Sequence, residues 1–272
     1  MLRQRGHRAK KRLGQHFLVN KSVVERILSA AELEPEDVII EVGPGRGVLT
    51  RKLAERTARV IAVELDAGLV RLLKRELASF PNVNIVHADI LEVAPEELLS
   101  GTGAPGYKVV ANLPYYITSP ILRHFLQAEL KPSLLVVMVQ KEVGEAIAAA
   151  PGKMSPLSIG VQFYSRPTMV TSVPARDFRP VPRVDSVVLR LDVYSKPPVD
   201  IPDEAGFWDT VRCGFSTPRK QLRNSLAHSL TIPPPQVSRL LEGINIDPRR
   251  RAETLTLEEW RRVGEAFAPF RT

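Results

Sequence analysis

A run of mostly β-branched residues passes directly into a glycine turn and then into a helical pattern. Residues Val38–Val42 have the pattern of a buried strand, Gly43, Gly45 and Gly47 follow at once, and residues 48–55 have helical spacing of apolar side chains. Strand, glycine turn and helix form a unit in which the backbone approaches a ligand closely at the helix N-terminus. The arrangement predicts an α/β sheet that binds its ligand at the carboxyl ends of the strands.

An acid follows this unit at a characteristic distance. A second strand pattern, residues 60–63, ends in Glu64, about 20 residues beyond the first glycine. An acid in this position normally holds the hydroxyl groups of a ribose. The alternative is a glycine turn of purely structural use and a solvated Glu64. The turn and the acid together favour a nucleotide-like cofactor.

The spacing of the glycines indicates which cofactor the turn binds. Nicotinamide enzymes favour Gly-x-Gly-x-x-Gly, which cradles a pyrophosphate, whereas this turn has Gly43, Gly45 and Gly47. Glu41 precedes the turn, where it would repel a pyrophosphate but could accept a hydrogen bond from an ammonium group. S-adenosylmethionine carries adenosine, a sulfonium and an amino acid but no phosphate, and it fits this pattern.

Two further strand patterns bring polar side chains to the same edge. Residues 84–86 lead to Asp89, and residues 108–111 lead to Asn112. We expect Asp89 to accept a hydrogen bond from the adenine amine of the cofactor, although a single Asp here is also typical of a helix cap. Cofactor and target would then meet outside the carboxyl ends of the strands.

The motif after the fourth strand is suited to a flat base that carries an exocyclic amine. It consists of Asn112, Leu113, Pro114 and Tyr115. An amino group on an aromatic ring is a poor nucleophile because its lone pair is delocalised into the ring. The Asn112 side-chain oxygen and the main-chain carbonyl of Leu113 or Pro114 would accept its two N–H bonds and direct the lone pair at an electrophile. Tyr115 would stack on the base, a contact of about 1–3 kcal/mol. The alternative is a strand end and a tight turn with Tyr115 packed.

A proline-rich segment, residues 178–186, begins with Phe178. Its prolines stiffen the loop, so Phe178 could be held against the other face of a bound base. A packed connector is the alternative interpretation.

The remaining pattern divides the chain into domains. Asn20 is expected to cap a first helix, which has apolar residues at positions 23, 24, 27 and 28. A fifth strand is expected at residues 134–139 and later ones near 168–173 and 186–191, and Thr118 or Ser119 is expected to cap a helix. Residues 196–202 have the composition of a linker. Beyond it, four helical patterns predict a small all-helical domain. The predicted domains are a basic arm at 1–12, an S-adenosylmethionine-binding domain at 13–196 and a helical domain at 203–272.

The charge is concentrated at the N-terminus. The chain has 38 Lys and Arg against 30 Asp and Glu, a net charge of +8. Six of these bases lie within the first 12 residues, where there is no acid: Arg3, Arg5, Arg8, Lys10, Lys11 and Arg12. A basic arm on a nearly neutral body indicates a polyanionic partner, although such arms are often only solvated.

Several other classes of protein are disfavoured. A single cysteine, Cys213, excludes an internal disulfide and fits a reducing cytoplasm. No apolar run is long enough to cross a bilayer, and no metal-ligand spacing is present, so we expect neither a membrane nor a metal. We also expect a monomer.

A set of motifs spread over nearly the whole chain resembles the KsgA/RsmA family, the small-subunit ribosomal RNA adenine dimethyltransferases. These motifs lie at residues 13–18, 41–47, 64, 87–89, 112–115, 178–186 and 215–224. The resemblance implies a Rossmann-like, class I S-adenosylmethionine-dependent methyltransferase sheet with a small all-helical C-terminal domain.

The resemblance also implies roles for single residues. It assigns the target adenine to residues 112–115, with Phe178 closing over it. The cofactor contacts expected are His16, Leu18, Gly43, Gly45, Glu64, Asp89 and Asn112. Two positions depart from the family pattern, His16 where Asn is usual and Pro218 where a base is common.

The activity implied is transfer of methyl groups to N6 of two adjacent adenines near the 3′ end of 16S ribosomal RNA in the assembling small subunit. This would give the protein a part in ribosome biogenesis. Three alternatives remain open. These are a resistance-type methyltransferase of large-subunit RNA, which usually has Ile at the position of Leu113, a non-catalytic RNA-binding assembly or transcription factor, and a nicotinamide oxidoreductase.

Overall fold

The chain folds into two compact units. A computed structural model describes residues 16–270, so the basic arm at 1–12 lies outside the described residues. Among the described residues, one unit comprises 16–144 together with Arg166–Ser195. The other comprises Glu145–Ser165 together with 196–270.

Residues 16–270 contain nine β-strands, which form two sheets, and eleven α-helices that are divided between the two units. The strands among the described residues are β1 (Phe17–Leu18), β2 (Val38–Val42), β3 (Arg59–Glu64), β4 (Val83–His87), β5 (Lys108–Asn112), β6 (Leu134–Gln140), β7 (Ser165–Val173), β8 (Phe178–Arg179) and β9 (Ser186–Val193). The helices are α1 (Lys21–Ala30), α2 (Val48–Ala54), α3 (Ala67–Glu76), α4 (Pro95–Leu99), α5 (Thr118–Leu126), α6 (Lys141–Ile147), α7 (Pro156–Tyr164), α8 (Glu204–Phe215), α9 (Leu222–Leu230), α10 (Pro234–Gly243) and α11 (Leu257–Phe267).

The large sheet has seven strands in the order β4-β3-β2-β5-β6-β9-β7. The first five pair in parallel, and β9 pairs antiparallel to β6. Glu64 pairs with His87, and Asn112 pairs with Met138. Parallel pairing aligns the carboxyl ends of β2, β3, β4 and β5 along one edge, which confirms the predicted α/β sheet.

The central strands form because they are apolar on both faces. Every residue of β2 is buried, as are the three residues Val109, Val110 and Ala111 of β5. Helices cover a parallel sheet on both faces, so its strands have continuous apolar sequences rather than alternating ones. Glu41 is the one ionisable residue in β2, and it is almost fully buried.

Helix α1 confirms the expectation for its segment. Asn20 caps it by accepting a hydrogen bond from the backbone N–H of Ser22 at 2.9 Å. Its apolar face, Val23, Val24, Ile27 and Leu28, is buried.

The expected cap of α5 is wrong. Helix α5 begins at Thr118 directly from a 3-10 turn over Tyr115–Ile117, so Thr118 already lies within the helix. Its hydroxyl donates back to the carbonyl of Pro114 at 3.3 Å instead of capping the following N–H groups.

The second unit contains four helices beyond the linker and the helix α7, which the sequence analysis did not identify. Ser155 and Ser158 form a reciprocal capping box at the start of α7. Met154 and Ile159 pack in the core of this unit, and the backbone N–H groups of Gly152 and Met154 donate to the Glu253 carbonyl. These contacts place Glu145–Ser165 in the helical unit, whereas the sequence analysis assigned the segment to residues 13–196.

Gly214 in α8 provides a test of the helical core. A Cβ at this position would lie 2.3 Å from Cη2 of Trp260, a fully buried side chain. We expect Gly214→Ala to lower the free energy of unfolding by about 1–3 kcal/mol through overpacking. Urea unfolding of the full chain would measure this difference.

The matched control is Gly160→Ala in α7, where nothing lies within 4 Å of the added Cβ. It should stabilise the protein by up to about 1 kcal/mol, because alanine favours a helix over glycine. Equal effects of the two substitutions would contradict the proposed packing of Trp260.

Candidate active site

A cavity of about 1000 Å³ lies at the carboxyl ends of β2, β3, β4 and β5. All of its lining residues belong to the first unit. It brings together ten of the eleven predicted site residues: His16, Leu18, Gly43, Gly45, Glu64, Asp89, Asn112, Leu113, Pro114 and Tyr115. The predicted residues thus share one cavity, with Phe178 as the exception, and the roles predicted for them stay predictions.

Two properties of the turn at residues 43–47 require glycine: its positive φ angles and its close contact with neighbouring side chains. Gly45 and Gly47 have φ of 58° and 73°. A Cβ on Gly45 would lie 3.1 Å from the Phe17 ring, and one on Gly47 would lie 2.9 Å from Leu73. The turn thus lies directly against β1 on one side and α3 on the other.

Glu64 is fixed at the end of β3. Its Oε1 accepts a hydrogen bond from the Asp66 backbone N–H at 2.8 Å, and Asp66 in turn caps α3 through the N–H of Gly68 at 2.7 Å. Burial raises the pKa of Glu64, against the opposing effect of the backbone N–H groups of Asp66 and Gly45. The carboxylate lines the cavity with its position already set.

Glu41 is a buried acid whose hydrogen bonding is incomplete. It is 2% exposed, and its Oε2 has no hydrogen-bond partner among the described residues. Burial raises the pKa of Glu41 to about 8, and the charge of Glu64 adds to the shift. An orphaned carboxylate oxygen beside a glycine turn fits a ligand that carries an ammonium group, which would satisfy the oxygen and favour the ionised form.

Asp89 caps no helix, since the next helix, α4, has Ala94 at its N-cap, and its contact to the cofactor stays a prediction. It lines the cavity, and its Oδ1 also accepts from the backbone N–H of Leu91 at 3.0 Å. That bond orders the turn after β4, so one carboxylate oxygen is structural and the other remains for a ligand.

The Asn112 amide has a defined orientation. Its Nδ2 donates to the main-chain carbonyl of His16 at 3.2 Å. Because a carbonyl can only accept, the NH₂ group must face His16, and Oδ1 is left as an acceptor.

The residues after Asn112 form a rigid turn. The Pro114 carbonyl accepts hydrogen bonds from the backbone N–H of Ile117 at 3.2 Å and from Thr118. It is therefore used within the turn, and Leu113 offers the more suitable of the two predicted main-chain acceptors. The Leu113 backbone N–H donates to Met138 of β6 at 3.1 Å, which ties the motif to the sheet.

The Tyr115 side chain has one hydrogen bond at its hydroxyl and one aromatic neighbour on a face of its ring. Its hydroxyl and the Ser186 hydroxyl are hydrogen-bonded at 2.6 Å. The His16 ring lies almost parallel to it, with ring centroids 6.0 Å apart and an interplanar angle of 19°. Burial raises the pKa of Tyr115, so its hydroxyl is neutral at physiological pH.

Phe178 does not reach the cavity. It is fully buried in the core with Val173 and Val188, and the cavity wall at this point consists of Arg179 and Pro180. The burial of Phe178 could not be predicted from the sequence, because it depends on non-local pairing. Phe178 pairs with Leu18 in a small antiparallel sheet formed by β1 and β8. Its predicted contact with the base stays a prediction.

Phe17 and Arg46 form part of the site although the sequence analysis did not single them out. The Arg46 guanidinium carbon lies 4.9 Å from the centroid of the Phe17 ring, which itself covers Gly45. Phe17 lies within the motif at residues 13–18, but nothing in its spacing indicates contact with the glycine turn.

This sheet order, with a glycine turn and acids at successive strand ends, defines the class I methyltransferase fold. A family model described as ribosomal RNA adenine dimethylase matches residues 6–268. The chain belongs to this family. The predicted fold, family and enzyme class are thereby confirmed.

Relatives of known sequence agree with this assignment. The chain is 48% identical over 261 residues to ribosomal RNA small subunit methyltransferase A of Dehalococcoides mccartyi, over 96% of this chain and 89% of the relative. It is 44% identical over 275 residues to the protein of the same name from Moorella thermoacetica, over 98% and 95% of the two chains.

Two solved structures have the same fold. The 23S rRNA methyltransferase ErmE has a TM-score of 0.72 and 28% identity, over 93% of this chain and 99% of its own. A dimethyladenosine transferase from Plasmodium falciparum has a TM-score of 0.77 and 23% identity, over 94% and 98%. No helix among residues 16–270 is long and apolar enough to cross a bilayer.

The buried Glu41 makes stability depend on pH. The unfolded chain releases the Glu41 proton near its ordinary pKa of 4.5, whereas the folded protein releases it near 8. Between these values the folded state binds more protons, so the free energy of unfolding falls as the pH rises. We expect Glu41→Gln, which cannot titrate, to flatten this decline in thermal unfolding without ligand between about pH 5 and pH 8.

The exposed acid Glu36 provides the control, since Glu36→Gln should leave the wild-type decline unchanged. An equal decline in Glu41→Gln and wild type would show that Glu41 is ionised in the folded protein.

Proposed function

We propose that this protein dimethylates N6 of two adjacent adenines near the 3′ end of 16S ribosomal RNA in the assembling small subunit, with S-adenosylmethionine as methyl donor. The observation that carries the proposal is the Asn112 amide, whose NH₂ group is bound to His16 so that its oxygen remains an acceptor beside Tyr115. The relatives named ribosomal RNA small subunit methyltransferase A support the choice of RNA.

The cofactor half of the cavity is assigned to the ends of β2, β3 and β4. Glu41 would take the ammonium group, Glu64 the ribose hydroxyls and Asp89 the adenine amine, while the turn at Gly43 and Gly45 allows close approach of the backbone. Leu18 and Asn112 complete the contacts. When bound, S-adenosylmethionine supplies a methyl group on a positively charged sulfur.

The base half of the cavity is assigned to the turn after β5. Asn112 Oδ1 and the Leu113 carbonyl would accept the two N–H bonds of the adenine amine, which draws the lone pair out of the ring. Tyr115 would stack on the base from its anchored position. The orientation of these groups is set before the base arrives, so little ordering is needed during the reaction.

This chain needs no strong general base. Each transfer produces a cationic nitrogen that loses its proton readily to water, so we name no catalytic Asp or His. The buried acids Glu41 and Glu64 are assigned to binding, and the neutral Tyr115 to holding the base.

The helical unit offers a basic surface for the RNA backbone. The backbone N–H of Leu222 donates to the Arg250 carbonyl at 2.7 Å, which brings the start of α9 to the loop at Arg249. Arg219 and Lys220 are exposed just before α9, and the Arg249 side chain is 75% exposed. We assign these side chains to RNA phosphates, together with the basic arm at 1–12.

The likeness to ErmE keeps large-subunit RNA as the second candidate substrate. The deciding experiment is methyl transfer from labelled S-adenosylmethionine to undermethylated small subunits, large subunits and protein-free RNA, followed by mass spectrometry of the nucleosides. We expect dimethyladenosine only in small-subunit RNA. Label in large subunits would reassign the substrate, and RNA binding without label would indicate a non-catalytic factor.

Asn112→Ala tests the assigned chemistry. Loss of the acceptor for the amine should lower methyl transfer by at least about a hundredfold, by analogy with removal of one preorganised polar group. Circular dichroism and the thermal midpoint should stay near wild type, because Asn112 ends its strand at the cavity.

Asn84→Ala is the control, since Asn84 is exposed on β4 and does not line the cavity. Near-normal turnover of Asn112→Ala would refute the role given to this amide.

A further inference from the structure

Tyr116 is an aromatic side chain that the fold leaves uncovered. It is the only exposed Phe, Tyr or Trp among residues 16–270, and its exposed fraction is 56%. Within that range no other ring pairs with it and no group hydrogen-bonds to its hydroxyl, whereas Tyr115 is bound to Ser186 and lies against His16. The Tyr116 ring is thus available for contact with a ligand.

Exposed apolar side chains are concentrated around the cavity. Eight large apolar side chains are exposed among the described residues, and four of them line the cavity: Val19, Val48, Leu65 and Tyr116. Single apolar residues scattered over a surface are ordinary, whereas a group around one cavity is typical of a binding site. Val48 and Leu65 adjoin the glycine turn and Glu64, in the half assigned to the cofactor. Tyr116 follows the turn assigned to the target base, so the cofactor does not account for its exposure.

The backbone that carries Tyr116 is fixed. It lies in the 3-10 turn that begins at Tyr115. The Pro114 carbonyl holds this turn by accepting hydrogen bonds from the Ile117 backbone N–H at 3.2 Å and from the Thr118 hydroxyl at 3.3 Å. A 3-10 helix has three residues per turn, so successive side chains point about 120° apart. The Tyr115 and Tyr116 rings therefore point in different directions, and Tyr116 is the one at the exposed rim.

A base that enters the pocket leaves its neighbour in the strand without a stacking partner. The proposed function places two adjacent adenines at this site, and only one of them can occupy the pocket at Asn112 and Tyr115 during a transfer. Turning that adenine out of the strand uncovers a face of the base beside it, which costs free energy. An aromatic ring at the rim restores stacking to that face, and a tyrosine loses little conformational freedom when it does so.

We propose that Tyr116 binds the nucleotide beside the target adenine by stacking on its base, and that for one of the two transfers this base is the second adenine of the pair. This inference rests on the proposed function. Tyr115 and Tyr116 then hold successive bases of the strand, the target within the cavity and its neighbour at the rim. The contact forms only once the target has left the strand, so it favours the reacting arrangement over the first encounter.

Two substitutions separate the ring of Tyr116 from its hydroxyl. Tyr116→Ala removes both, whereas Tyr116→Phe keeps the ring. The measurements are kcat/KM at each adenine of undermethylated small subunits, by mass spectrometry of RNA fragments, and the Kd for S-adenosylmethionine by calorimetry.

We expect Tyr116→Ala to lower kcat/KM by roughly tenfold, the scale of one lost stack between a base and an aromatic ring. Tyr116→Phe should stay within about threefold of wild type, because the stacking surface is kept. The Kd for S-adenosylmethionine should change by less than about twofold in both variants. A rise in this Kd that matches the fall in kcat/KM would overturn the inference and place the effect in the cofactor half.

Met169→Ala is the matched control, because Met169 is 51% exposed on β7 and does not line the cavity. It should leave kcat/KM near the wild-type value. Equal losses in Tyr116→Ala and Tyr116→Phe, or in Tyr116→Ala and Met169→Ala, would overturn the inference. Unchanged kcat/KM in Tyr116→Ala would overturn it as well.

Small subunits with one adenine replaced identify the base that Tyr116 contacts. Uracil takes the place of the first adenine in one substrate and of the second in the other, so each keeps a single target. Uracil has a smaller stacking surface, so beside the target it should reduce the loss caused by Tyr116→Ala to about threefold or less. We expect this reduction in one of the two substrates, because a single ring reaches the neighbour on one side only. An undiminished loss in both would refute the contact with the second adenine.

The same comparison is made without turnover by measuring the Kd of the enzyme for each substrate by filter binding in the presence of S-adenosylhomocysteine. Failure of the inference is distinguishable from failure of the proposed function. If wild-type protein methylates no small subunits, the proposed function fails. Normal wild-type methylation that does not depend on Tyr116 refutes the role of Tyr116 alone.

Discussion

The parallel pairing of β2 with β3 and β5 is the constraint on which the rest of the site depends. Because these strands run in the same direction, their ends deliver Glu41, Glu64 and Asn112 to one edge of the sheet. The strands are buried on both faces, so a shift in register would move apolar side chains out of the core. The strand ends that carry these polar groups are therefore positioned by apolar packing, while hydrogen bonds such as that from Asn112 to the His16 carbonyl orient the side chains.

The second determinant is the small antiparallel pair of β1 and β8. It joins residues about 160 positions apart and brings Phe17 onto the glycine turn and His16 onto Tyr115. The large sheet supplies the floor of the cavity, and this pair supplies a wall. Residues 16–18 therefore lie against both the cofactor half and the base half of the cavity.

The sequence predicts those features that depend on local pattern. The apolar runs identify β2 to β6, the glycine turn and Glu64 identify the cofactor edge, and Asn20 identifies the start of α1. Non-local pairing has no such signature, so the burial of Phe178 behind Leu18 is invisible in the sequence. Helix α7 was missed because its sequence, nine residues beginning with a proline, has little helical amphipathicity.

The chain leaves the first unit after Gly144 and re-enters it at Arg166, and this has a consequence for the order of folding. The chain enters the helical unit before the large sheet has its last two strands, β7 and β9, and returns to the helices only after the sheet is complete. During synthesis from the N-terminus, neither unit can close until part of the other has been made. A chain cut at the linker would leave Met154 and Ile159 without the helices that bury them. The linker at residues 196–202 is therefore a boundary in the sequence but not a point at which the protein can be divided into two complete pieces.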